Sequence, residues 1–173
     1  MRYIRVISGV VAALAFAATA SAGSIEDKAQ GAVGGAESGH VDVAIDISEK
    51  AFHVTKGGTE RGFTLIAGTP AVIQLRNRDL VAHEFMSTLF RDVPFRISGN
   101  ATLVKTARAT GVRVDPGQTV TLEFNAPVAK VDQYGGTESS YDVFWCNVHG
   151  KDHGQKMRGE LLIIETRGEI GGG

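Results

Sequence analysis

The stretch Phe144-Trp145-Cys146-Asn147-Val148-His149-Gly150-Lys151-Asp152-His153-Gly154-Gln155-Lys156-Met157-Arg158-Gly159-Glu160-Leu161 decides how this chain is read. It gathers the only cysteine, two of the five histidines and a methionine within the twelve residues from Cys146 to Met157. Apolar runs of β type lie on either side, Tyr141–Cys146 before it and Gly159–Glu165 after it. The thiol, imidazoles and thioether therefore sit on a loop between two strands, which can fold them onto one point. A further histidine, His83, opens another short apolar run far upstream.

Outward from this loop the pattern is that of short strands. From His40, the residues Val41, Val43, Ile45 and Ile47 alternate with Asp42, Ala44, Asp46 and Ser48, the period of a half-buried strand. Further runs cover Ala51–Thr55, Gly62–Ile66, Ala71–Arg76, His83–Met86, Gly111–Val114 and Thr119–Phe124. Gly57-Gly58, Gly68-Thr69-Pro70, Asp115-Pro116-Gly117 and Gly135-Gly136 punctuate them. No useful helical period is present, so the fold class is all-β, an antiparallel sandwich or barrel. Ser87–Thr110 is expected to hold a short helix or an irregular excursion, and Ala126–Ser140 a polar surface loop.

The ends read differently. Arg2 and Arg5 precede the apolar run Val6–Thr19 and then Ala20-Ser21-Ala22, the pattern of a signal peptide over 1–22 cleaved after Ala22. The run is shorter than the roughly 20 residues a membrane-spanning helix needs. Residues 23–39 read as a flexible leader, 40–166 as one domain and 167–173 as a flexible tail. Without 1–22, 16 basic residues face 19 acidic ones, a mild net charge of −3 that gives no nucleic-acid footprint. The expected product is exported to the periplasm, soluble and monomeric, with no membrane contact after cleavage.

An unpaired cysteine in an oxidising compartment is either buried and inert or held by a ligand. Its company favours the ligand. Cysteine, two histidines and a weak axial methionine form the donor set of a blue-copper site. Cu(I) prefers sulfur and Cu(II) accepts imidazole, so a site offering both rearranges little when an electron moves.

These residues resemble the cupredoxins of the plastocyanin–azurin family. The aromatic strand Tyr141-Asp142-Val143-Phe144-Trp145-Cys146, then His153, then Met157-Arg158-Gly159 and the apolar Leu161-Leu162-Ile163-Ile164 follow the family signature. Upstream, Val72-Ile73-Gln74-Leu75-Arg76-Asn77 followed by His83 matches its first half. The resemblance implies a Greek-key β-sandwich of about eight strands and one type 1 copper, cycling between Cu(I) and Cu(II). It implies His83, Cys146, His153 and Met157 as metal ligands. His149 is the alternative loop ligand: Cys146-x2-His149 has plastocyanin-like spacing, whereas His153-x3-Met157 has azurin-like spacing, and the short His-to-Met gap favours His153. The family's usual asparagine after the upstream histidine is replaced by Glu84, and Asn147 follows Cys146. That pair is expected beside the metal, with Asn147 donating to Glu84 or with Glu84 turned to solvent. Met86 reads as core, and His40 and His53 as surface residues.

The functional expectation is a non-enzymatic copper protein. One-electron transfer to a redox partner is the first reading. Copper tolerance, with copper buffered or handed to a delivery partner, is the alternative. Multicopper oxidases require His-x-His pairs and a binuclear copper centre requires a second cysteine, and the sequence has neither.

Overall fold

The computed structural model describes residues 40–128, 130–131, 137–149 and 154–165. The expected signal peptide, leader and tail lie outside the described residues. The alternation from Val43 becomes β1 (Val43–Ser48), in which Val43, Ile45 and Ile47 are buried and Ala44, Asp46 and Ser48 half-buried. It is followed by β2 (Ala51–Lys56), β3 (Gly58–Thr59), β4 (Gly62–Ile66), β5 (Pro70–Asn77) and β6 (His83–Ser87). A single helical turn, α1 (Leu89–Asp92), precedes β7 (Phe95–Gly99) and β8 (Ala101–Lys105). Then come β9 (Thr110–Val114), β10 (Thr119–Asn125), the two-residue pair β11 (Lys130–Val131) and β12 (Thr137–Glu138), β13 (Ser140–Trp145) and β14 (Arg158–Ile164).

Two sheets carry the architecture. One has the order β2-β1-β5-β10-β7 and the other β3-β4-β14-β13-β6-β9-β8. The pairs β1–β5 and β4–β14 are parallel and the remaining ladders antiparallel, so the chain crosses repeatedly between sheets in a Greek-key sandwich. All nine strands read from the sequence are present. The additional strands β7 and β8 occupy the stretch Ser87–Thr110, together with the expected helical turn. Their side chains are only half-buried or exposed, because β7 is the edge of one sheet and β8 the edge of the other. An edge with little burial gives a weak alternation, which is why it read as an excursion.

The core is where the inward faces meet. Ile45, Ile47, Ile73, Leu75, Val120 and Leu122 from the first sheet face Phe85, Val112, Val114, Phe144, Leu161 and Ile163 from the second. Beneath one end of the sandwich the aromatic rings cluster. Phe144 lies 5.0 Å from Phe85, 5.4 Å from Phe63 and 5.5 Å from Phe52, centroid to centroid, within the 4.5–7 Å range of favourable ring pairs.

Gly159 explains itself in this cluster. It faces Phe144 in the β13–β14 ladder, and the Phe144 ring lies across it where a Cβ would be. Gly159→Ala is therefore expected to displace Phe144 and to cost about 1–3 kcal/mol, the usual range for overpacking a core. Chemical denaturation checks this. An unchanged midpoint would mean that the ring shifts freely.

Candidate metal centre

The side-chain period of two places the site. Phe144 points into the core, and so does Cys146, two residues on. In β6, Phe85 points inward and so does His83, two residues earlier. Because β6 and β13 run antiparallel, paired at Trp145 with Met86 and Phe144 with Ser87, both chains deliver their next inward position to the same end. Cys146 and His83 are both fully buried there.

The ladder stops at the Trp145–Met86 pair, and the backbone beyond it serves the sulfur. The Glu84 N–H donates to Cys146 Sγ at 3.4 Å. Across the loop the Cys146 N–H donates to the Met157 carbonyl at 2.9 Å, which closes the loop at its base. Met157 ends a 3-10 turn, Gly154–Met157, and its side chain is fully buried.

His149 completes the cluster. Its Nδ1 lies 3.6 Å from Cys146 Sγ and 3.1 Å from His83 Nδ1, and His83 Nδ1 lies 3.9 Å from Sγ. A metal bound about 2.0 Å from nitrogens and about 2.3 Å from a thiolate separates its donors by roughly 3–4 Å. The triangle of His83, Cys146 and His149 has that size, and its two imidazoles and thiolate are the equatorial donors that copper takes in type 1 sites. His153 lies outside the described residues. The histidine that the structure places beside Cys146 is the plastocyanin-spaced His149.

Asp79 holds the other side of His83 and was not singled out from the sequence. Its carboxylate accepts from His83 Nε2 at 2.8 Å, which fixes the ring with Nδ1 facing the cluster. The same carboxylate accepts the N–H groups of Glu49 at 2.8 Å and Lys50 at 2.9 Å. Those two residues form the β1–β2 turn with φ of 53° each, a left-handed conformation that costs energy in residues other than glycine. Asp79 thus offsets the strain of a turn and orients an imidazole with one group. Asn77 fixes the approach: it is buried, its Nδ2 donates to the carbonyls of Val81 and Val114, and its Oδ1 accepts the Asp79 N–H. The signal available in the sequence was a carboxylate four residues before the histidine, just after an asparagine able to form an Asx turn.

Glu84 is neither at the solvent nor bonded to Asn147. It is 3% exposed, and its Oε1 accepts from Arg113 Nη2 at 2.7 Å. Asn147 is exposed. The exchange of sides expected for this polar pair does not occur, because Arg113 faces Glu84 directly across the β6–β9 ladder and takes the carboxylate. Met86 is buried, while His40 and His53 are exposed and bond to Asp42 and to the Ser48 carbonyl.

Two sheets packed face to face, with the histidine and cysteine at the ends of adjacent inward-facing strands, define the architecture. The fold is cupredoxin-like. Solved copper proteins resemble it. The McoA multicopper oxidase from the hyperthermophile Aquifex aeolicus is 12% identical, with a TM-score of 0.47 over 70% of this chain and 28% of its own. Reduced auracyanin from the photosynthetic bacterium Roseiflexus castenholzii is 16% identical, with a TM-score of 0.42 over 70% of this chain and 94% of its own. A variant of amicyanin in its reduced Cu(I) form is 14% identical, with a TM-score of 0.41 over 75% of this chain and 87% of its own. The chain thus spans under a third of the length of the multicopper oxidase and most of the length of the two smaller proteins. No protein-family model and no curated sequence matches it. Among the described residues of this cupredoxin-like chain, no helix is long and apolar enough to cross a membrane.

The Asp79 network has a measurable pH signature. Burial raises the carboxyl's pKa, but the hydrogen bonds from Lys50, Glu49 and His83 outweigh it, and the folded value lies below the ordinary 3.8. A depressed folded value means that the contribution to stability is complete above the unfolded pKa and is lost as pH falls through the folded one. Asp79→Ala should destabilise the metal-free protein by about 1.5–3 kcal/mol at neutral pH, the scale of hydrogen bonds to a charged group. The deficit against the unmodified protein should shrink below about pH 4. Urea unfolding of both proteins across that range is the check, and a deficit independent of pH would contradict it.

Proposed function

We propose that this chain binds one copper ion as a type 1 centre and passes single electrons between protein partners. His83 Nδ1, Cys146 Sγ and His149 Nδ1 would be the equatorial ligands and Met157 the weak axial one. The observation that carries the reading is the convergence of those two imidazole nitrogens and the buried thiol within 3.9 Å of one another. When bound, copper would supply the one-electron couple. The chain's part is to hold the donors still: His83 is locked by Asp79, Cys146 by the Glu84 N–H and the Met157 carbonyl, and the Phe cluster below excludes water.

The surface at this end favours electron transfer over copper storage. Leu80 is 94% exposed, Val81 41% and Val148 47%. The first two lie in the loop leading to His83, and Val148 adjoins His149. An apolar rim around a half-buried ligand histidine suits brief docking, with the imidazole as the shortest way out for an electron. Val148 supplies this rim on the His149 side, and Leu80 and Val81 supply it from the loop before His83. The second reading, copper buffering or delivery, draws on His153, a second imidazole on the same polar loop with Lys151 and Asp152. Both readings place the protein in the periplasm after removal of residues 1–22.

The Cu(II) protein should show an intense sulfur-to-copper band in the visible, and Cys146→Ser should abolish it. Copper should also raise the melting temperature, because a ligand held only by the folded state stabilises it. His149→Ala should bleach the band and His153→Ala should leave it in place; the reverse would restore His153 as the ligand. Leu80→Asp should leave the spectrum unchanged but slow electron self-exchange by about tenfold, as expected when charge enters a docking patch. An unchanged rate, with copper sensitivity in a deletion strain, would favour the handling role.

A further inference from the structure

We propose that Arg113 raises the reduction potential of this copper site by cancelling the charge of Glu84, the buried carboxylate of the residue that follows His83. The inference rests on the type 1 copper reading. Glu84 follows His83 directly, and its own N–H donates to Cys146 Sγ at 3.4 Å, so the residue adjoins two ligands through its backbone. Its side chain is only 4% exposed, and its Oε2 is buried with no hydrogen-bond partner among the described residues. A bare carboxylate in that position would favour the more highly charged Cu(II), through a Coulomb attraction that a dry surrounding screens poorly. Cu(II) stabilised in this way means a lower potential.

Arg113 opposes that effect. It pairs with Glu84 in the β6–β9 ladder, and its Nη2 meets Oε1 at 2.7 Å. Its side chain is 47% exposed, so it reaches from the surface to cover the buried charge and can be truncated without opening a cavity in the core. Removing one member of such a pair leaves the other uncompensated, whereas removing both restores neutrality. Arg113 acts on the metal's balance between two charge states through its bond to Glu84.

The test is the reduction potential of the copper-loaded full protein by voltammetry, with the visible band recorded alongside. Arg113→Gln should shift the relative affinity toward Cu(II) by about tenfold, equivalent to about 59 mV lower potential for a one-electron couple. Arg113→Lys should stay close to the unmodified protein. The double variant Glu84→Gln with Arg113→Gln should return toward it, while the band persists throughout. Should Arg113→Gln fail to fold, Glu84→Gln alone must raise the potential. The inference is overturned if the band is retained and the potential of Arg113→Gln, or of Glu84→Gln in its stead, does not move. It is equally overturned if the double variant remains as low as Arg113→Gln. An unmodified protein with no charge-transfer band would instead remove the copper reading, and this inference with it.

Discussion

Everything at the metal end depends on the two-residue period of an extended chain. Phe144 and Phe85 must point inward to fill the sandwich, and that requirement points Cys146 and His83 inward as well. Shifting either strand by one residue would turn Trp145 or Glu84 toward the aromatic cluster and Cys146 or His83 away from the site. The aromatic cluster is therefore more than filler. It fixes the register of β6 against β13, and register fixes the distance between thiol and imidazole.

Polar contacts finish what register begins. Period two aims His83 but leaves its ring free to rotate, and Asp79 removes that freedom. The carboxylate reaches it because Asn77 ends β5 with a turn that binds across to Val114. The same carboxylate steadies the Glu49-Lys50 turn. The geometry of one ligand is thus tied to a hairpin in the other sheet, which gives the two layers a polar link in addition to their apolar interface. On the opposite side the strand ladder ends one residue early, leaving the Glu84 N–H to the sulfur instead of a carbonyl.

Much of this was legible in the sequence because it follows from strong local patterns. The alternation Val43, Ile45, Ile47 became a strand with the expected inward face, and the order of His83, Cys146 and Met157 placed them at the strand ends. What escaped was set by tertiary contacts. Phe95–Gly99 and Ala101–Lys105 lie at the margins of separate sheets, where little burial enforces alternation. Spacing alone does not choose between His149 and His153, since either gap fits a known loop; the turn after Cys146 carries His149 to the cluster, and His153 lies outside the described residues. The partner of Glu84 escaped because Arg113 is remote in sequence and adjacent only through the β6–β9 ladder. Asp79 was missed because its carboxylate serves the remote Glu49-Lys50 turn as well as the nearby His83.

The separation of the ligands along the chain has a consequence for how the molecule forms. His83 and Cys146 are 63 residues apart. Joining them requires the slow closure of long loops, on which the folding rates of β-sandwiches depend. A metal ion meeting the unfolded chain finds only the Cys146–Met157 segment as a local chelate, without the buried imidazole or the backbone donor to sulfur. If the three groups bind copper as proposed, the full donor set exists only once the sandwich has closed, and topology would then put assembly of the polypeptide before metallation.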